Sequence, residues 1–160
     1  SYEKGAKGKF QLVVDTKWWE SLKEKLKELT RKTAPMSFDH RMHKLKEVQR
    51  GWINYFKYAN IVGKLGDLDG WLRNRIRCCI WHDWKKPERK RKNLIRLGVK
   101  HDMAYQWSRT RMGSWAVAQS PILGTTITIS RLSQRGYESM LSYYKQVNPS
   151  SQISSLFPIA

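Results

Sequence analysis

The feature that most restricts the fold is a seam of side chains between residues 38 and 59. Phe38, Met42, Leu45, Gln49, Trp52, Phe56 and Ala59 follow one another in alternating steps of four and three. That spacing holds one helical stripe against a single neighbour, as in coiled-coil packing. It predicts a helix over about residues 37–60, lying nearly antiparallel to another. A strand would need a period of two, which this segment lacks. A chain built round such a helix is mainly α.

The flanking segments can be read from the same signals. Residues 1–14 suggest the end of a β-hairpin, with Gly5 and Gly8 in a KGAKGK turn and Phe10, Leu12 and Val14 in alternation. A lone hairpin is unstable in water, so this one must pair with further strands or pack on the helices. At Asp15-Thr16 the period changes, and either residue can cap a helix over 16–32 with Leu22, Leu26, Leu29 and Trp18 or Trp19 as its apolar stripe. Ala34-Pro35 breaks the chain, and Ser37 can cap the seam helix. Gly63 and Gly66 mark a turn before a third helix over about 67–86, with Leu65, Leu68, Leu72, Ile76, Cys79 and Ile80 on its core face. Pro87 stops that helix.

Short helices follow. They cover 94–97, closed by Gly98, then 101–110, 114–119, a segment opened by Ser120-Pro121, and finally 130–134 and 137–147. Residues 125–129 read as irregular or as a helix end, and residues 148–160 as an uncharged, Ser-rich tail. At 160 residues and 40% hydrophobic content, the chain can bury one core and at most a small satellite.

Charge narrows the function. The formal net charge is +18, and between residues 41 and 92 there are fifteen Lys/Arg against five Asp/Glu. Self-repulsion of that size opposes compaction unless a polyanion offsets it, so nucleic acid is the leading partner class. No apolar run approaches a membrane span, and no signal peptide is visible. Cys78 and Cys79 are neighbours and provide no disulfide framework, which fits a reducing compartment. The first residue is not Met and the chain opens in mid-element, so it reads as a piece of something larger.

Within the basic field four groups stand out. About a hundred degrees round the helix from the seam lie Lys46, Arg50, Asn54 and Lys57, with His43 beside them. The third helix carries Arg73, Arg77, Trp81 and Trp84 one turn apart on one flank. Beyond Trp84 come Lys85, Lys86, Arg89, Lys90, Arg91 and Lys92, a basic tongue after Pro87. Arg109 and Arg111, beside Trp107, form a weaker patch. Arginine holds phosphate bidentately, and an exposed Trp can pack on a sugar or an unstacked base. Trp52, Tyr55 and Phe56 are assigned to core packing, and His40 and His43 to an exposed helix face.

Catalytic signals are lacking. There is no GxSxG, no phosphate-binding Gly loop and no paired-Asp signature for a two-metal nucleotidyl transferase. Asp67 and Asp69 sit at an expected helix start, where capping accounts for them. Cys78, Cys79, His82 and His101 would need adjacent cysteines to converge on one ion, whereas zinc sites use a two-residue gap.

RGWINYF (50–56), LDGWLRNRIRCCIWHDWKKP (68–87), NLIRLGV (93–99) and AYQWSRTRMGSWAVAQSPIL (104–123) closely resemble the C-terminal part of bacterial group II intron reverse transcriptase–maturases. The resemblance covers nearly all of residues 2–147. It implies that residues 1–14 end the palm, 15–92 form the thumb (maturase domain X) as a helical bundle, 93–147 form a small helical DNA-binding region, and 148–160 are a tail. It implies binding of intron RNA to assist splicing, and clamping of an RNA–DNA template–primer or target DNA. The fingers–palm domain of the same parent chain would be a partner, and the setting would be the bacterial cytoplasm. The Mg2+ of the parent polymerase belongs with the palm aspartates, so no cofactor is expected in this region. The downstream cysteine pairs of members with an HNH endonuclease are not found here. The helix-two stripe and Arg73 and Arg77 lie within the matching motifs. The rival reading is an autonomous helical DNA-binding module, helix-turn-helix-like around residues 93–119, which base-specific readout would favour.

Overall fold

A computed structural model describes residues 2–4 and 10–149. Among them two short strands precede nine helices. Tyr2–Lys4 (β1) and Phe10–Leu12 (β2) pair antiparallel, Tyr2 opposite Leu12. The turn expected at Gly5–Gly8 lies outside the described residues, so the expected palm-type hairpin finds no support beyond this three-residue ladder. The architecture is helical throughout the rest.

Thr16–Leu29 (α1) starts where Asp15 accepts the Lys17 amide (3.1 Å), and it buries Leu22 and Leu26. Phe38–Phe56 (α2) starts where Ser37 accepts the His40 amide (3.2 Å). Its inner face holds Met42, Leu45, Gln49 and Ile53, with Trp52 and Phe56 half-buried against Trp19 and Trp18 of α1. The expected seam therefore drifts toward Ile53, because a straight α-helix of 3.6 residues per turn does not keep a seven-residue repeat in line.

Val62–Trp84 (α3) is the longest element and begins five residues earlier than the glycines suggest. Gly63 and Gly66 lie inside the helix. Each costs about 1 kcal/mol against Ala, which the complete burial of Leu65 between them offsets. Pro87 corrects a second expectation. It opens Pro87–Arg96 (α4) at its first turn, where the missing amide costs nothing, so the basic tongue is a helix. Lys85 makes the bend between α3 and α4 with φ of 57°. Gly98, at φ 100°, ends α4.

His101–Ser108 (α5), Ser114–Gln119 (α6), Pro121–Gly124 (α7), Ile129–Gln134 (α8) and Met140–Val147 (α9) fold back over the first three helices. α6 packs on α3, α5 on α4, and α9 on both α2 and α3. One contiguous apolar cluster runs from Val14 through Leu26, Leu45, Ile76 and Leu94 to Val117, Leu132 and Tyr144. Asn148, placed at the start of the expected tail, is buried and donates to Lys57 O (2.7 Å).

Asp69 holds that return in place. Its carboxylate accepts from Tyr137 Oη (2.6 Å), Ser139 Oγ (2.8 Å) and the amides of Met140 (2.9 Å) and Leu141 (2.9 Å). It caps a helix, as its position near Asp67 suggested, but that helix is α9, some seventy residues downstream. A negative charge at a helix N-terminus is favourable, and four donors offset its burial. Burial, followed by the Asp69 charge, pushes the Tyr137 phenol well above its ordinary range.

Candidate nucleic-acid interface

The basic residues divide by what their side chains touch. Several arginines are fasteners. Arg41 is buried and donates from Nη1 to Leu29 O (2.9 Å), Arg31 O (3.1 Å) and Cys79 Sγ (3.2 Å). Arg75 donates to Thr30 Oγ1 (2.8 Å) and Lys27 O (3.0 Å). Together they satisfy the carbonyl end of α1, which has no glycine to close it. The signal in the sequence was that missing glycine, since a helix end without one needs other donors.

The α3 flank is where expectation and structure part. Arg77 is buried and donates to Ile127 O (2.7 Å) and Asn74 Oδ1 (2.9 Å). Burial, with neighbouring Arg73 adding to it, lowers the affinity of this guanidinium for its proton. Trp81 is 2% exposed and packs on Trp84, ring centroids 5.8 Å apart. Neither Arg77 nor Trp81 has a surface to offer: Arg77 is covered by the segment that brings Ile127, and Trp81 lies against Trp84 and beneath Lys90. Arg73 remains half-exposed.

The α2 stripe is exposed but engaged. Arg50 donates from Nε to Glu138 Oε1 (2.8 Å) and from Nη2 to Oε2 (2.6 Å), and lies 4.9 Å from the Tyr143 ring centroid. Asn54 accepts from Tyr143 Oη (2.9 Å), and the Lys57 carbonyl accepts from Asn148. The hydrogen bond from Arg50 holds the Glu138 carboxyl below the usual carboxylate range. Lys46 is half-buried beside this group.

α4 is different. Lys85, Lys86, Arg89 and Lys92 are exposed, and Arg89, Lys92 and Arg96 share one face by their spacing of three and four. Leu94 anchors the opposite face at 0% exposure. Lys90 turns inward and lies 4.5 Å over the Trp81 ring. Arg91 pairs with Glu88, whose carboxylate also lies 3.8 Å from Arg109 Nη2. Glu88 is thus paired mainly with Arg91, and the outer row remains net positive. Arg109 lies over Tyr105 (3.9 Å), and Arg111 is exposed.

Residues 19–98, half of the chain and all of α2, α3 and α4, match the group II intron, maturase-specific domain family. The chain belongs to that family. No curated protein matches it. In this maturase domain, therefore, the exposed α4 row lies inside the family segment, as do the fasteners Arg41, Arg75 and Arg77.

The maturase domain has no group of three or more His, Cys, Asp or Glu placed to hold a metal among the described residues. The Cys79 thiol is pushed up to about 11 by burial, and it donates to Thr30 O (3.1 Å). A thiol held protonated at neutral pH is a poor metal ligand. No helix among the described residues is long and apolar enough to cross a membrane.

Proposed function

We propose that this maturase domain holds folded group II intron RNA through the outer row of α4, as the thumb region of a reverse transcriptase–maturase. The observation that supports this most is a row of exposed cations, Lys85, Lys86, Arg89 and Lys92, within the family segment. Glu88, a carboxylate beside it, pairs with Arg91 and lies near Arg109. Such a row neutralises phosphates and releases their counterions, which supplies affinity without sequence readout. In the same reading, residues 15–92 act as the thumb beside a fingers–palm domain of the parent chain. There they clamp RNA–DNA template–primer, and residues 93–147 lie along target DNA. The Mg2+ of the parent polymerase belongs to that palm.

The rival helix-turn-helix reading has less to support it. α6, the candidate second helix over 93–119, is six residues long and carries no charged side chain. It therefore lacks the Arg or Lys that makes the commonest specific base contact, to guanine.

The test is a salt-titrated binding assay comparing a folded group II intron RNA, an unrelated structured RNA of equal length, and duplex DNA. Preference for the intron that survives rising salt is the expected result. Equal, steeply salt-dependent binding to all three would leave an electrostatic clamp and remove specific recognition from this region.

A further inference from the structure

The exposed face of α4 ends at Arg96, and Arg96 opens onto a pocket that none of the sequence signals pointed to. The pocket has a volume of about 190 Å³ and lies where α2, α3, α4 and α8 meet. Its apolar floor includes Ile80, Trp84, Leu97 and Leu132, and its polar rim is Asp83, Arg96, Arg131 and Arg135. The rim is thus three guanidiniums to one carboxylate. Arg131 is fixed in the wall by donating from Nη1 to Leu97 O (3.0 Å) and Thr126 O (2.7 Å). Arg135 lies 5.3 Å over the Phe38 ring. Arg96, Arg135 and Asp83 are exposed, so the rim is open to a ligand from solvent.

The chemistry of this pocket is that of one nucleotide. Its volume falls below the range of drug-sized sites, so it takes a single planar ring system and excludes a base pair. The apolar walls suit a ring removed from its stack, and the arginines suit the phosphate beside it. Asp83 adds a preference, because an ionised carboxylate can only accept hydrogen bonds. It favours a base that offers an amino group, as cytosine does at N4, over uracil, whose one base-edge donor, N3–H, is flanked by two carbonyls that repel a carboxylate.

We infer that this pocket binds one unstacked, amino-bearing nucleotide of single-stranded RNA, with its phosphate on Arg96, Arg131 and Arg135 and its base edge at Asp83. The inference rests on the RNA-binding reading above and adds to it a second mode of contact, one that reads a base. α4 then leads a strand along Arg89 and Lys92 to Arg96 at the pocket mouth.

The experiment uses the whole chain and two labelled dodecamers, oligo-cytidine and oligo-uridine, at pH 7.5. These share a backbone and differ at the base edge. Wild type should bind the cytidine probe about five- to tenfold more tightly, the net worth of one typical hydrogen bond. Asp83→Asn should abolish that preference, since an amide can both donate and accept. The double variant Arg96→Gln, Arg135→Gln should weaken both probes by about tenfold and leave the circular dichroism unchanged; Arg131 is spared because it ties Leu97 to Thr126. Equal wild-type affinity for the two probes, or a preference that persists in Asp83→Asn, overturns the pocket. If intron RNA binds through α4 while the dodecamers are not distinguished, only this inference fails. If intron RNA does not bind at all, the proposed function fails with it.

Discussion

The α3 flank and the α4 row carry the same kinds of residue, and the fold uses them in opposite ways. On α3, Arg77 is sealed beneath the returning chain and spent on the Ile127 carbonyl, and Trp81 is buried against Trp84 and Lys90. At the bend before α4 and on its outer face, Lys85, Lys86, Arg89 and Lys92 stay in water, since α4 turns Leu94 inward and packs its other side on α5. The difference teaches that clustering of charge locates a candidate surface only on the face that no later segment covers, since α5 packs on α4 yet leaves this row exposed. Arginine is the residue that moves between the two roles. Its planar fork can close carbonyl ends of the backbone as readily as it holds phosphate, whereas lysine's strongly hydrated ammonium favours water, Lys90 over Trp81 being the exception on α4.

The contrast can be broken most easily at Trp81. Trp81→Ala should cost about 3–5 kcal/mol in urea unfolding, with no loss of RNA affinity in the folded fraction. A stable Trp81→Ala protein that no longer bound RNA would return this indole to the interface. Arg77→Ala comes next, at about 1–3 kcal/mol, because it leaves a buried carbonyl unpaired. The Arg77→Lys variant should recover little, one ammonium being unable to serve both Ile127 O and Asn74.

A smaller effect is expected where the returning chain meets the α2 stripe. Glu138 has its carboxyl depressed in the folded state by the Arg50 hydrogen bond. Its contribution is therefore present above the unfolded value near 4.5 and is lost as pH falls through the lower folded value. Glu138→Gln should be less stable than wild type at neutral pH, and the gap should close below pH 4.5. A gap that stayed constant down to pH 3 would show that the pair carries no charge-dependent stability.

The smallest change in stability belongs to α4. Replacing Lys85, Lys86, Arg89 and Lys92 with Gln should shift unfolding by under about 0.5 kcal/mol. The same variant should flatten the salt dependence of RNA binding by about three to four units, roughly one per lost phosphate contact. An unchanged slope would place the interface elsewhere, with the Arg109 and Arg111 patch the next surface to examine.

The mainly α class and the starts of α1 and α2 were legible because they depend on local chemistry. Asp15 and Ser37 cap their own helices through neighbouring amides, and the α2 seam repeats within a few turns. The family was legible too, since its motifs are contiguous. Errors arose at Gly63 and Gly66, where burial of Leu65 overrode breaker signals; α3 does end before Pro87, but the basic tongue that follows is a helix, because a first-turn proline is compatible with one. Nothing in the sequence could show that Asp69 caps α9 or that Arg77 is covered by residue 127, as those partners lie some fifty to seventy positions away.

The sequence by itself determined a basic, helical maturase domain whose cations concentrate between residues 41 and 92. Only the tertiary structure decided which of those cations face solvent. It did so by folding residues 99–148 back over α2, α3 and α4, covering Arg77, engaging Arg50, and closing a pocket from Phe38, Asp83, Arg96 and Arg135. The physical reason is that burial belongs to pairs of surfaces. A local pattern gives a helix its apolar face, but which charged face is covered depends on the segment that arrives against it.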